Sequence, residues 1–251
     1  MLNKLKYNSC IILFFFFASA VNAQVAKPEY VGRTDMAKVF KQINNWFINT
    51  PIYSLSVTHA SYESYKTTIP VEKAAGYFKK NKNNYHSFLI GIHTIQNKTY
   101  KIVIDSSEKI ILVANPDKLI WNTYTTSDYD TLLKTCATIK VTTVGNDKLY
   151  RMDFNSESPI AWYEFLINPN GLPKEIVWYY NQEIKKDEED EASEKVKPRV
   201  SITFSNYNSS AVLDYNKEFN EGIYFTNTNN KISLTEKYKN YKLNDQRVKL
   251  N

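Results

Sequence analysis

Three histidines, His59, His86 and His93, and one cysteine outside the N-terminal leader, Cys136, are the side chains of this chain best suited to chemistry. A zinc hydrolase needs two histidines four apart around a glutamate, or paired cysteines. The histidines have no such spacing, and the sequence holds no cysteine pair for zinc. No Gly-x-Ser-x-Gly elbow presents a serine nucleophile. The six glycines are scattered, so no glycine-rich loop cradles a phosphate. Cys136 would attack only beside a histidine base. It shares the apolar face of a short predicted helix with Tyr129, Leu132 and Leu133, which marks it as a small buried hydrophobe. His59 continues the alternation of Tyr53, Leu55 and Val57, as a strand residue at the rim of a core does. A calcium loop alternates oxygen ligands around a turn glycine. The acidic run Asp187–Glu191 has neither feature and reads as a solvated hairpin tip. No catalytic residue, metal site or cofactor is therefore expected.

Aromatic side chains stand out instead. Tyr62, Tyr65, Tyr77, Phe78, Tyr85 and Phe88 fall in one stretch. Trp162, Tyr163 and Phe165 lie on one predicted strand, and Trp178, Tyr179 and Tyr180 on the next. Neighbours on a strand point to opposite faces, so these runs put aromatics on both faces of one sheet. One face must pack on helices. The other is a second core or a binding surface, and aromatics with polar tips suit a partly wet cavity. Ordinary β propensity also accounts for such residues.

The elements that position them follow an export signal. Lys4 and Lys6 precede the apolar run Ile11–Ala18, which ends in the small-x-small pattern Ala20-Val21-Asn22-Ala23. The run is too short to span a bilayer, which takes about 20 apolar residues. Residues 1–23 read as a Sec-type signal peptide cleaved after Ala23. Cys10 precedes the apolar core, so it is no lipid-attachment site. The mature chain has no apolar run long enough to cross a membrane. Export and a formal net charge of only +6, two units of it in the leader, argue against a nucleic-acid partner. With Cys136 alone, no intramolecular disulfide can form. Residues 24–251 show no linker and no repeat, and are expected to form a single domain, periplasmic or secreted.

Along that domain, a helix is expected from Asp35 as N-cap, with Met36, Val39, Phe40, Ile43 and Phe47 at helical spacing, stopped at Asn49-Thr50-Pro51. The period then changes to two at Tyr53. Strands are expected at 74–80, 84–92, 99–105, 109–114, 137–144, 148–154, 160–167, 174–184 and 199–207. A short helix at 128–136 follows Ser127, with Asp130 in capping-box spacing. Asn168-Pro169-Asn170-Gly171 fits a type I turn with a bulge. The chain from about 226 is a C-terminal extension with little readable pattern.

The element order and several motifs resemble the LolA/LolB-like family of periplasmic lipoprotein carriers, over roughly residues 36–225. The motifs are Gly76-Tyr77-Phe78-Lys79-Lys80, Ile102–Asp105 with Lys109–Val113 and Pro116-Asp117, Asn170–Pro173, and Val200–Tyr207 followed by Phe219. The resemblance implies a mainly β (α+β) fold: a strongly curved antiparallel sheet forming an open half-barrel, with short helices covering its concave face. It implies a non-catalytic carrier whose partners are lipid or lipoprotein acyl chains, together with a possible envelope protein partner. The ligand-binding side chains are expected to be Tyr53, Leu55, Val57, Phe88, Trp162, Trp178 and Tyr180. Alternation alone does not say which strand face is concave. A second reading is an envelope interaction module that uses sheet edges and loops. The export reading predicts that secreted protein begins at Gln24; N-terminal sequencing of the periplasmic fraction that returned Met1 would refute it.

Overall fold

The computed structural model describes residues 27–117, 129–186 and 192–247. The expected signal sequence, Ser127 and the acidic run lie outside them. In chain order the elements are β1 (Glu29–Tyr30), α1 (Arg33–Asn49), β2 (Ile52–Tyr62), β3 (Glu72–Asn81), β4 (Asn84–Leu89), β5 (Ile92–Gln96), β6 (Lys101–Asp105) and β7 (Ile110–Ala114). After them come α2 (Tyr129–Thr135), β8 (Cys136–Val144), β9 (Asp147–Phe154), β10 (Ile160–Ile167), β11 (Pro173–Tyr180), β12 (Ile184–Lys185) and β13 (Lys195–Val196). The chain closes with β14 (Arg199–Asn208), α3 (Tyr215–Glu218), β15 (Phe225–Thr228), β16 (Lys231–Leu234) and β17 (Lys242–Asp245).

Thirteen strands form one curved sheet in the order β1-β8-β9-β10-β11-β14-β2-β3-β4-β5-β6-β7-β17. Every pairing in it is antiparallel except β17 on β7. The sheet is an open half-barrel with α1 and α2 on its concave face. Helix α1 forms because Met36, Phe40, Ile43 and Phe47 fall on one stripe at spacings of three and four. All four are buried against Tyr53, Leu55, Val57, Phe78, Ile202 and Phe204 of the sheet. Burying each such side chain stabilises the fold by roughly 2 kcal/mol.

Lys80 of β3 seats the end of that helix. It is 5% exposed, and its ammonium donates to the carbonyls of Phe47, Ile48 and Thr50 at 2.8, 2.7 and 3.0 Å. The last carbonyls of a helix have no partner within it, and a cation there also meets the negative end of the helix dipole. Three simultaneous donations require the charged –NH3+ form. Burial itself pulls the Lys80 pKa down, so the carbonyls are what hold the charge in place.

Local details depart from the sequence reading in four places, one being that the expected strand 174–184 stops at Tyr180 as β11 and resumes only as the two-residue β12 in a separate hairpin. The N-cap of α1 is Gly32, without a side-chain cap, and Asp35 sits in the first turn paired with Lys38 at 2.8 Å. A carboxylate is favoured there by the dipole as well as by capping, which is why the two roles look alike in sequence. The expected strand 84–92 is two strands. Ile90 and Gly91 both take positive φ, 49° and 75°, and turn β4 into β5; a β-branched residue in that region is uncommon and hid the turn. Cys136 opens β8 instead of closing α2, and is still buried. The turn at 168–171 has the expected character: Asn168 accepts from the Asn170 and Leu172 amides, and Gly171 takes φ +77°.

Gly76 explains one motif. A Cβ there would stand 2.1 Å from the Phe88 carbonyl oxygen, so only glycine lets the end of β4 approach β3 this closely.

The C-terminal extension forms regular structure over its described residues, to 247. Tyr224, Phe225, Ile232 and Tyr238 pack on Ile95, Ile102, Ile104, Ile111 and Val113. This second core lies on the face opposite α1, since His86 and Phe88 alternate with the concave-face residues Tyr85, Ser87 and Leu89. The expected outcome of Lys80→Met is a loss of about 2 kcal/mol in urea unfolding, from three carbonyls left without a donor. An unchanged midpoint would show that α1 is held by its apolar stripe alone.

Candidate ligand-binding groove

The strand registers set side chains in rows across the concave face. Tyr150, Phe165, Ile176, Ile202, His59 and Ala74 form one row over β9, β10, β11, β14, β2 and β3. Tyr150, Phe165, Ile176 and Ile202 of this row are buried beneath the helices. The next row, two residues along each strand, is Met152, Tyr163, Trp178, Val200 and Ser61. Met152 is buried, whereas Tyr163, Trp178, Val200 and Ser61 are half-buried. Phe154 and Trp178 both meet Tyr163 edge-on, at 5.4 and 5.9 Å. Helix cover thus ends along this row, and the apolar surface continues past it.

It continues into a groove of about 440 Å³ at the end of the sheet. Val200 and Ser61 of the row line it, together with Tyr180, Pro198, Val71 and Ile184. Two loops make its walls. The loop after β2 is brought back where the Val71 amide donates to the Ser61 carbonyl at 2.8 Å, and Tyr65 donates its hydroxyl to the Tyr180 carbonyl. The small hairpin β12–β13 supplies Ile184 and Lys185. Val71 and Ile184 are 69% and 42% exposed, a high value for apolar side chains facing the same opening. Lys186, paired with Glu194 at 2.7 Å, stands at the rim.

Tyr62, Glu63, Lys185 and Arg199 also line the groove, so polar groups border its apolar surface. Burial and the neighbouring Tyr180 push the Tyr163 hydroxyl up to about 12, so it stays protonated and can donate. His59 Nδ1 is buried without a hydrogen-bond partner among the described residues. An apolar surface with a small number of placed polar groups is the usual make-up of a small-molecule site.

The seven side chains expected to bind ligand are divided by the fold. Tyr53, Leu55 and Val57 are on the concave face but lie under α1, at 0–2% exposure, inside the main core. Trp178 and Tyr180 come together at the open row and the groove. Phe88 and Trp162 are on the convex face. Phe88 lies against His93, with ring centroids 4.5 Å apart. Trp162 stacks on Tyr179 at 4.3 Å, Tyr65 meets both rings edge-on, and Arg151 lies over the indole at 4.2 Å. Glu164 accepts from the Trp162 indole and the Tyr179 hydroxyl at 3.1 and 3.0 Å. That aromatic group is satisfied by its own neighbours. The groove also uses Val71, Val200 and Ile184, which sequence reasoning misses. Val200 is visible as part of an alternating strand, but no local pattern brings the other two to it.

Cys136 is 1% exposed, and its thiol donates to the Leu133 carbonyl at 3.3 Å within the apolar core. Among the described residues no group of three or more His, Cys, Asp or Glu is arranged to hold a metal ion. No described helix is long and apolar enough to cross a membrane.

No protein-family model matches the chain, and no curated protein matches it. Solved structures resemble it at very low identity. An uncharacterized conserved protein from Thermus thermophilus aligns with 84% of this chain and 99% of its own, at 6% identity and a TM-score of 0.42. A LolA superfamily protein from Nitrosomonas europaea aligns with 72% of this chain and 96% of its own, at 6% identity and a TM-score of 0.30. The Mycobacterium tuberculosis lipoprotein LppX aligns with 71% of this chain and 99% of its own, at 7% identity and a TM-score of 0.33. Scores this low leave what the groove does to its own geometry.

The burial of Cys136 makes a direct prediction. A thiol reagent should leave Cys136 of a chain begun at Gln24 untouched over minutes and titrate that one thiol once guanidinium is added. Rapid native labelling would reopen Cys136 as a nucleophile.

Proposed function

We propose that this protein is an exported, non-catalytic binding protein that carries a hydrophobic ligand, a lipid or the acyl chain of a lipoprotein, within the cell envelope. The observation that carries the reading is the apolar continuity from the half-buried row of Tyr163, Trp178 and Val200 into the groove of about 440 Å³ walled by Tyr180, Val71 and Ile184. That volume is within the range of about 300–1,000 Å³ typical of small-molecule sites.

The energetics favour a chain-like ligand. Each methylene moved from water onto this surface contributes about 0.8 kcal/mol. A chain of a dozen carbons therefore offsets much of the freedom lost on binding, estimated at roughly 4–15 kcal/mol. No acid–base pair or nucleophile is needed for that. The sheet's edges favour the carrier over the interaction module, because the two edge strands are short, β1 with two residues and β17 with four. Short edge strands are poor templates for a partner's strand.

Titration with a fluorescent fatty acid tests the proposal. Wild-type protein should bind, and Trp178→Asp and Tyr180→Asp should each weaken binding at least tenfold, with thermal midpoints shifted by only a few degrees because both side chains are half-buried. Phe88→Ala, on the convex face and away from the groove, should leave affinity unchanged. Equal affinity in wild type and both aspartate variants would move the ligand off this row, and a wild type that binds no acyl probe at all would turn attention to an envelope protein partner.

A further inference from the structure

A buried polar cluster joins the C-terminal segment to the convex face. Glu218 of α3 reaches Lys79 of β3 at 2.6 Å through one oxygen and His86 Nδ1 of β4 at 3.2 Å through the other. His86 Nε2 meets the Tyr77 hydroxyl at 3.1 Å and His93 Nδ1 of β5 at 3.3 Å. Beside it, Asn97 donates to the Phe219 carbonyl at 3.2 Å and to Glu221 at 2.6 Å. His86 and Asn97 are 6% and 3% exposed, while the Glu218 and Lys79 side chains at the edge of the cluster keep 19% and 26% of their surface in water. From here the chain runs on as the cover over Ile95, Ile102, Ile104, Ile111 and Val113, and ends in β17 along β7.

We propose that this cluster is an acid-sensitive latch, with His86 its titrating member, which holds the segment 214–245 on the convex face at neutral pH and loosens it in mild acid.

The hydrogen bonds fit a neutral His86. Its Nδ1–H donates to Glu218, and its Nε2 accepts from the Tyr77 hydroxyl. A second proton on Nε2 would end the Tyr77 donation and face His93. Charges around the pair add to this. Lys79 lies against the same carboxylate, and Lys237 lies near His93. Glu218 alone favours a cation. Burial outweighs it and pulls the His86 pKa down to about 4 from 6.5, and burial also lowers that of His93. A histidine whose pKa is depressed in the docked state contributes its full stabilisation above 6.5, where both states are neutral. That stabilisation is lost as pH falls from 6.5 toward 4, because only the undocked state takes up the proton. At pH 5 this linkage makes opening about 30-fold easier than at pH 7.5. Loosening also frees β17 from β7, which uncovers a strand edge of the sheet.

Hydrogen exchange on the mature wild-type protein at pH 7.5 and 5.0, corrected for the intrinsic pH dependence of exchange, tests the latch. Protection in peptides spanning 215–245 should fall about 30-fold at pH 5.0, while peptides from β2 and β14 keep theirs. The double variant His86→Gln, His93→Gln should show the same protection of 215–245 at both pH values, whatever its absolute level. Equal protection of the wild-type segment at both pH values overturns the proposal. So does a uniform loss across the whole chain, or a pH dependence that persists in the double variant.

Discussion

One ammonium group sets the geometry of the concave face. Lys80 projects from the middle of the sheet into the end of α1 and takes three of its carbonyls. A buried cation is tolerable only where its hydrogen bonds are complete, so the helix end and the strand are tied to one relative position. That position directs the stripe of Met36, Phe40, Ile43 and Phe47 onto Tyr53, Leu55 and Val57. It also determines where the stripe stops. The helix fills the rows nearest its own end and leaves Tyr163, Trp178 and Val200 half-buried. The open row is thus a consequence of where the helix is anchored.

The sheet solves a problem of breadth. Thirteen strands present more apolar surface than α1 and α2 can cover. The chain deals with this by changing faces. From β8 round to β4 the main core lies on the concave side. From β5 to β7 a second core lies on the convex side under the C-terminal segment. The two faces of the strand pair β3–β4 mark the change. Phe78 and Leu89 point to the helix, while Tyr77, His86 and Phe88 point to the cover. The polar cluster around Glu218 sits at that change, where the cover first meets the sheet.

The groove arises from loops more than from strands. The row of aromatics ends at the β2–β3 loop and the β12–β13 hairpin, and these bring Val71 and Ile184 to Val200 and Tyr180. The loops are held by backbone bonds and by Tyr65. The same ring seals the convex aromatic group of Trp162 and Tyr179. One tyrosine thereby separates an outer, self-satisfied aromatic cluster from an inner surface that is left open.

The helix α1, most strands, the 168–171 turn and the open half-barrel were legible in the sequence. The first three rest on local physics, a 3.6-residue stripe, a two-residue alternation and an asparagine–glycine turn, whereas the half-barrel was expected only from the family resemblance. The break at Ile90-Gly91 was not legible, because a β-branched residue rarely turns a hairpin. The C-terminal cover was not legible either, because its strands are short and its pairing with β7 is parallel and remote in sequence. Alternation determined that Trp178 and Tyr180 share a face and that Trp162 does not face Tyr163, since successive Cβ atoms point opposite ways. Only the tertiary structure decided which face is concave, that α1 buries Tyr53, Leu55 and Val57, and that the cover packs on Ile95, Ile102 and Ile111 of the other side. The position of the cover depends on contacts between segments more than a hundred residues apart, such as Glu218 with Lys79, and no local pattern in the chain encodes it.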